Sequence, residues 1–95
     1  VDGFCGSSTE YFIALSHQSK KVTTYGSNTI GMMDYEGMSN PTPLPYNKFI
    51  LTIPITKSSW TDTKPIDQTG FTPDVPIRLP ENRWIDFIVD DLPKR

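Results

Sequence analysis

The chain has 95 residues, with 9 Lys+Arg against 11 Asp+Glu and a formal net charge of -2. That length fits one small domain or a piece of a larger one, and the charge balance excludes a protein that holds nucleic acid by phosphate neutralisation. Hydrophobic residues make up 36% and charged residues 21%, so the composition is not that of a disordered chain, yet 9 prolines and a modest apolar share leave little for a self-sufficient core.

No stretch approaches the roughly 18 consecutive apolar residues of a membrane span. The opening Val1-Asp2-Gly3-Phe4-Cys5-Gly6 has neither a basic segment nor an apolar segment of a signal peptide, and without an initiator Met the natural polypeptide is expected to begin upstream. Cys5 and His17 are the single Cys and the single His. An internal disulfide is therefore excluded, and so is the usual Cys/His zinc site. No cofactor or metal is expected.

Residues 8–19 read as a helix. Tyr11, Phe12, Ile13, Ala14 and Leu15 form a nearly continuous apolar run, wider than one solvated face needs, so this helix should be buried on most sides. Ser7 with Glu10 three residues later matches a capping box, and Lys20 and Lys21 place positive charge after the C-terminus. Residues 22–25 follow as a short β-branched strand, closed by Gly26-Ser27-Asn28. Residues 29–35 fit a second extended segment. The Gly- and Pro-rich residues 36–43 read as a loop.

Residues 49–55 give the strongest strand signal. Apolar side chains fall on both of its faces, which predicts burial, and Pro54 predicts an edge or a bulge. Residues 56–80 are polar and Pro-rich, with no element predicted. Unstructured stretches of that length inside a domain more often serve function than mere connection. Trp84, Ile85, Ile88, Val89 and Leu92 then form an amphipathic stripe between Pro80 and Pro93. The predicted order is helix, three strands, long loop, helix. This is a mixed α/β or α+β architecture with the first helix sandwiched.

The stretch Cys5-Gly6-Ser7-Ser8-Thr9-Glu10 is the best candidate for chemistry. A Ser at the start of a buried helix meets unpaired N–H groups and a partial positive charge. Those donors can hold a developing oxyanion, with the Ser8 N–H as the natural one. On residue chemistry alone, a plain N-cap is the favoured reading, because Ser is a preferred cap. His17 lies ten positions later, about 15 Å along the axis, too far for a Ser–His pair within one helix. It reads as a surface or helix-end residue. Cys5 reads as a buried structural thiol, Trp60 and Tyr46 as packing residues ahead of a second reading as walls of a peptide groove, and Asp90-Asp91 as a solvated face.

Four motifs carry a family resemblance: Ser7-Ser8-Thr9-Glu10 opening the helix, Lys21-Val22-Thr23-Thr24-Tyr25-Gly26, Thr29-Ile30-Gly31, and Gly70-Phe71-Thr72-Pro73-Asp74-Val75. In this order and spacing they resemble the C-terminal processing (tail-specific) serine peptidases over most of the chain. The resemblance implies a crotonase-like core, with residues 1–95 as the C-terminal portion of one catalytic domain and an upstream portion of the same polypeptide as partner. It implies acyl-enzyme hydrolysis of peptide or protein substrates, with Ser7 as nucleophile, Ser8 N–H in the oxyanion hole and Asp67 as the late acidic residue, Asp62 being the alternate. Met32 stands where the bacterial branch carries a catalytic Lys, and Met is no base. That departure points to the tricorn-like branch, whose base is a His supplied from upstream. It also keeps open a non-catalytic peptide-binding module of the same fold. The resemblance leans towards the cell envelope or secretion rather than the cytoplasm. A third reading is a standalone Pro-rich domain.

Overall fold

The computed structural model describes residues 1–38 and 40–95. Among these residues it is an α+β arrangement of two α-helices, three short 3-10 helices and three separate two-stranded sheets. In chain order the α-helices and strands are α1 (Ser8–Ser16), β1 (Tyr25–Gly26), β2 (Tyr35–Met38), β3 (Thr42–Pro43), β4 (Ile50–Leu51), β5 (Pro54–Lys57), β6 (Val75–Pro76) and α2 (Trp84–Asp91).

The core is small. Tyr25, Val75 and Ile77 are buried together, and Trp84, Phe87 and Ile88 of α2 pack against them. Beneath α2, β1 and β6 run parallel with Tyr25 opposite Val75. The chain start lies on the other side of β1: the Val1 ammonium donates to the Tyr25 carbonyl at 2.6 Å, and the Ser27 amide donates to the Val1 carbonyl at 3.0 Å. The closing helix of the sequence reading is therefore present, but its stripe is divided. Trp84 and Ile88 face the core, while Ile85, Val89 and Leu92 remain exposed, because three buried residues cover only a narrow face. Asp91 is half-buried rather than solvated: it accepts from the Tyr25 hydroxyl at 3.0 Å and pairs with Arg95.

The other departures from the expected elements have local causes. The first helix stops at Ser16, not 19, where the Ser16 hydroxyl bonds the Ile13 carbonyl at 2.8 Å and tighter turns follow. Its predicted burial does not occur. Ile13 and Glu10 are buried, but Phe12 is 70% exposed and Tyr11 and Leu15 are exposed too. The 22–25 strand shortens to β1 because the Thr24 amide goes to the Asp74 carboxylate at 2.7 Å instead of to a sheet. Residues 29–34 form no strand, since their amides serve Cys5, Phe71 and Glu10. The predicted loop at 36–43 contains β3 and most of β2; Ser39 lies outside the described residues.

The strongest predicted strand, 49–55, is divided between β4 and β5, with Pro54 opening the latter. It is not buried. β5 pairs antiparallel with β2, and β4 with β3, building a ribbon in which every described residue from 35 to 57 is exposed. The radius of gyration is 17.2 Å, against about 12 Å for a compact chain of this length. Residues 58–74 contain no helix or strand, and 58–67 are tied down by a buried carboxylate described below. No helix among the described residues is long and apolar enough to cross a membrane.

Candidate functional site

Ser7 immediately precedes α1 and has φ 50°, ψ -114°. An ordinary N-cap residue has extended backbone angles. A side-chain-bearing residue at positive φ is uncommon, and ψ here lies outside the left-handed helical well as well. Such a conformation costs on the order of 1–3 kcal/mol and persists only where surrounding bonds hold it. Ser7 and Glu10 form a capping box, in which the Ser7 amide donates to Glu10 Oε2 at 3.0 Å.

Glu10 does far more than complete that box. Its side chain is 0% exposed. Besides the Ser7 amide, it accepts the Thr29 hydroxyl at 2.6 Å, the Gly31 amide at 2.7 Å and the Met32 amide at 2.8 Å. Burial alone would push this carboxyl up, but the bonds from Thr29, Met32, Gly31 and Ser7 outweigh it and hold Glu10 below its ordinary value. The Thr29 hydroxyl in turn accepts the Phe71 amide at 2.7 Å, and the Thr29 amide donates to the Phe71 carbonyl at 3.1 Å. Gly31 has φ +81° and Gly70 φ +70°, and a Cβ on either would collide with the other segment's backbone. The turn at 29–31, the segment at 70–71 and the start of α1 are thus laced around one carboxylate.

Ser7 and Ser8 open onto a cleft of about 420 Å³ whose other walls are Tyr11, Met32, Met33, Tyr35 and Glu36. Ser7 is exposed to it. The Ser8 N–H belongs to the first helical turn, whose amides have no partner inside a helix. Ser7 and Ser8 are therefore placed together. Asp67 is not among the residues lining this cleft. Its amide donates to Asp34 Oδ2 at 2.7 Å, and its side chain is exposed. Asp62 forms an exposed ion pair with Lys57 at 2.7 Å. No His or Lys lines the cleft among the described residues.

His17 sits at the other end of α1. Its Nε2 lies 3.2 Å from the Thr24 hydroxyl, which donates to Asp74 Oδ2 at 2.8 Å. Bonds from the Thr24 amide and hydroxyl hold the Asp74 carboxyl below its usual value, and the nearby His17 adds to this. His17 and Asp74 border a second cleft of about 560 Å³, walled by Met33, Trp60, Ile66 and Phe71. Cys5 is half-buried, with its thiol 3.6 Å from Asp2 Oδ1. Tyr46 is 92% exposed on the ribbon. No group of three or more His, Cys, Asp or Glu among the described residues is arranged to hold a metal ion.

Asp34 was not singled out in the sequence, yet it is 1% exposed and holds the 58–67 segment. Its carboxylate accepts the Ile66 and Asp67 amides, each at 2.7 Å, and the Trp60 indole N–H at 2.9 Å. The only signal for it was an acidic residue inside an otherwise apolar stretch, Met32-Met33-Asp34-Tyr35. A scan against protein-family models found no match, and neither did searches among curated proteins and among solved structures.

Proposed function

We propose that this chain is the C-terminal part of a serine peptidase catalytic domain, of the tail-specific type and its tricorn-like branch, with a crotonase-like core. The observation that carries the reading is the backbone of Ser7: a positive-φ, non-glycine residue on an exposed turn, directly before a helix and open to a cleft. A strained turn that sets a hydroxyl at the start of a helix, beside an open cleft, is how a serine nucleophile is presented. The joining of Glu10, Thr29, Gly31 and Gly70-Phe71 around that turn also supports it, since these are the residues of the resemblance.

In this mechanism Ser7 Oγ attacks the scissile carbonyl of a peptide in the cleft. The proton goes to a His donated by polypeptide outside these 95 residues, and the Ser8 N–H donates to the oxyanion. The base returns the proton to the leaving amine, and water then hydrolyses the acyl-enzyme. The resemblance gives Asp67 the role of orienting that base, although its side chain lies outside the Ser7 cleft. The second reading is a peptide-binding module of the same fold without turnover. Met32 on the cleft wall favours it, because a thioether stands where related sites place a base.

A fluorophosphonate probe on the full-length protein separates the two. Labelling that disappears in Ser7→Ala is the expected result. Peptide binding without any labelling would establish the module instead, and peptide turnover retained by Ser7→Ala would exclude Ser7 as nucleophile.

A further inference from the structure

The exposed ribbon at residues 35–57 is the least accounted-for surface of the molecule. The chain as a whole exposes 7507 Å², whereas a compact monomer of its 10.7 kDa exposes about 5,500 Å². The excess is roughly 2,000 Å², and a stable protein–protein interface needs about 800 Å² from each partner. Part of the exposed apolar surface lies on the ribbon: Met38, Phe49, Ile50 and Ile55 are each more than 60% exposed, and Leu51 and Ile53 are exposed beside them. A two-stranded ribbon alone in water is at best marginal, so a surface of this kind calls for a partner.

Three features select the partner. Between Gly37 and Thr56 the sequence carries a single charge, Lys48. Two such ribbons can therefore meet face to face with almost no like-charge repulsion, which is the electrostatic condition for a self-complementary contact. The run Phe49-Ile50-Leu51-Thr52-Ile53 is rich in β-favouring residues and holds neither charge nor Pro, the composition that pairs readily at a sheet edge. Pro54 follows at once and limits how far pairing can extend, which favours a closed pair over an open stack. We propose that the ribbon at residues 35–57 is the interface of a two-fold dimer, with β4 and the residues that follow it packed against the same segment of a second copy.

Sedimentation velocity on the full chain over a hundred-fold concentration range tests this. The expected result is a monomer–dimer equilibrium whose dissociation constant rises at least about ten-fold in Ile50→Lys, a central and exposed position where a charge would be desolvated. Far-ultraviolet circular dichroism should be unchanged in that variant. Phe12→Asp, which places a charge on the exposed face of α1, should leave the equilibrium where it was. A monomer at every concentration, as expected if some other polypeptide covers the ribbon, overturns the proposal. So does a dimer indifferent to Ile50→Lys, a dimer broken by Phe12→Asp instead, or aggregation without a limiting size.

Discussion

The Ser7 amide and the Glu10 carboxylate, 3.0 Å apart, link the strained turn to the most heavily bonded side chain near it. Glu10 receives the Ser7 amide on the same oxygen that receives the Met32 amide, while its other oxygen holds Thr29 and Gly31. A carboxylate with both oxygens occupied cannot swing to release Ser7. The positive φ of Ser7 is therefore held from outside the helix, by groups twenty residues further along the chain.

This sets the response to acid. The folded-state pKa of Glu10 lies below the ordinary value for a glutamate, because four hydrogen bonds favour the charged form. A depressed carboxylate contributes stability that is fully present above the unfolded-state value and is lost as pH falls through the folded one. The melting temperature should decline as pH drops below about 4.3, the unfolded-state value of a glutamate. In Glu10→Gln that part of the decline should disappear, with a lower plateau at neutral pH. Glu10→Ala should cost about 3–5 kcal/mol at pH 7, because it strands buried donors. An acid limb of equal steepness in wild type and Glu10→Gln would contradict the assignment.

At Ser7 the cap and the strain pull in opposite directions, and the two smallest residues separate them. Ala removes the hydroxyl and keeps the Cβ that makes φ 50°, ψ -114° unfavourable. Gly removes both. An ordinary N-cap already favours Gly over Ala by roughly 0.5–1 kcal/mol; with the strain relieved as well, Ser7→Gly should be more stable than Ser7→Ala by about 2 kcal/mol or more. Chemical denaturation of the two variants measures the difference. A difference of about 1 kcal/mol or less would mean that the Ser7 backbone is an ordinary cap.

The sequence made some of this legible. The Ser7–Glu10 spacing announced a helix start, and Trp84 to Leu92 announced an amphipathic helix, because both signals are local and chemical. Burial was not legible at 11–15 or 49–55. Apolar composition shows that a segment wants cover, but not whether the chain in hand supplies it. The roles of Glu10 and Asp34 were hidden for a different reason. Each carboxylate is satisfied by backbone amides many residues away, and amides carry no sequence signature. Asp67 appeared as a candidate from its distance to Gly70, yet it is its amide, donating to Asp34, that takes part in the observed network.

The turns at Gly31 and Gly70 offer a test of the lacing itself. Both have φ near 70–80°, and a methyl group on either would meet carbonyl oxygens of the opposing segment: Ile66 for Gly31 and Thr29 for Gly70. Either Ala substitution should cost well over about 1 kcal/mol, since strain and backbone collision add. Gly3 has open space around it, and Gly3→Ala should change stability by no more than about 0.5 kcal/mol. Hydrogen exchange should show the Met32 and Phe71 amides losing protection together in Gly31→Ala, because both depend on the Glu10–Thr29 pair. Independent loss would mean that the two segments are not one unit.

Asp34 and Trp60 give the sharpest energetic prediction. Asp34 Oδ2 takes two amides, and Oδ1 takes the indole N–H at 2.9 Å. Asn in its place has one oxygen and one NH₂ group. The lesser loss keeps the oxygen on the two amides and turns the NH₂ towards the Trp60 indole, donor facing donor. Asp34→Asn should then cost about 2–3 kcal/mol, mostly from that unsatisfied contact. Trp60→Phe, which loses a single hydrogen bond, should cost about 1–1.5 kcal/mol in the wild-type background. In the Asp34→Asn background the same change removes the clash, so it should be close to neutral. The expected coupling is about 1–1.5 kcal/mol in a double-mutant cycle read by urea unfolding. Strict additivity would show that the indole N–H and the carboxylate do not act on each other, and the 58–67 turns would then need another anchor.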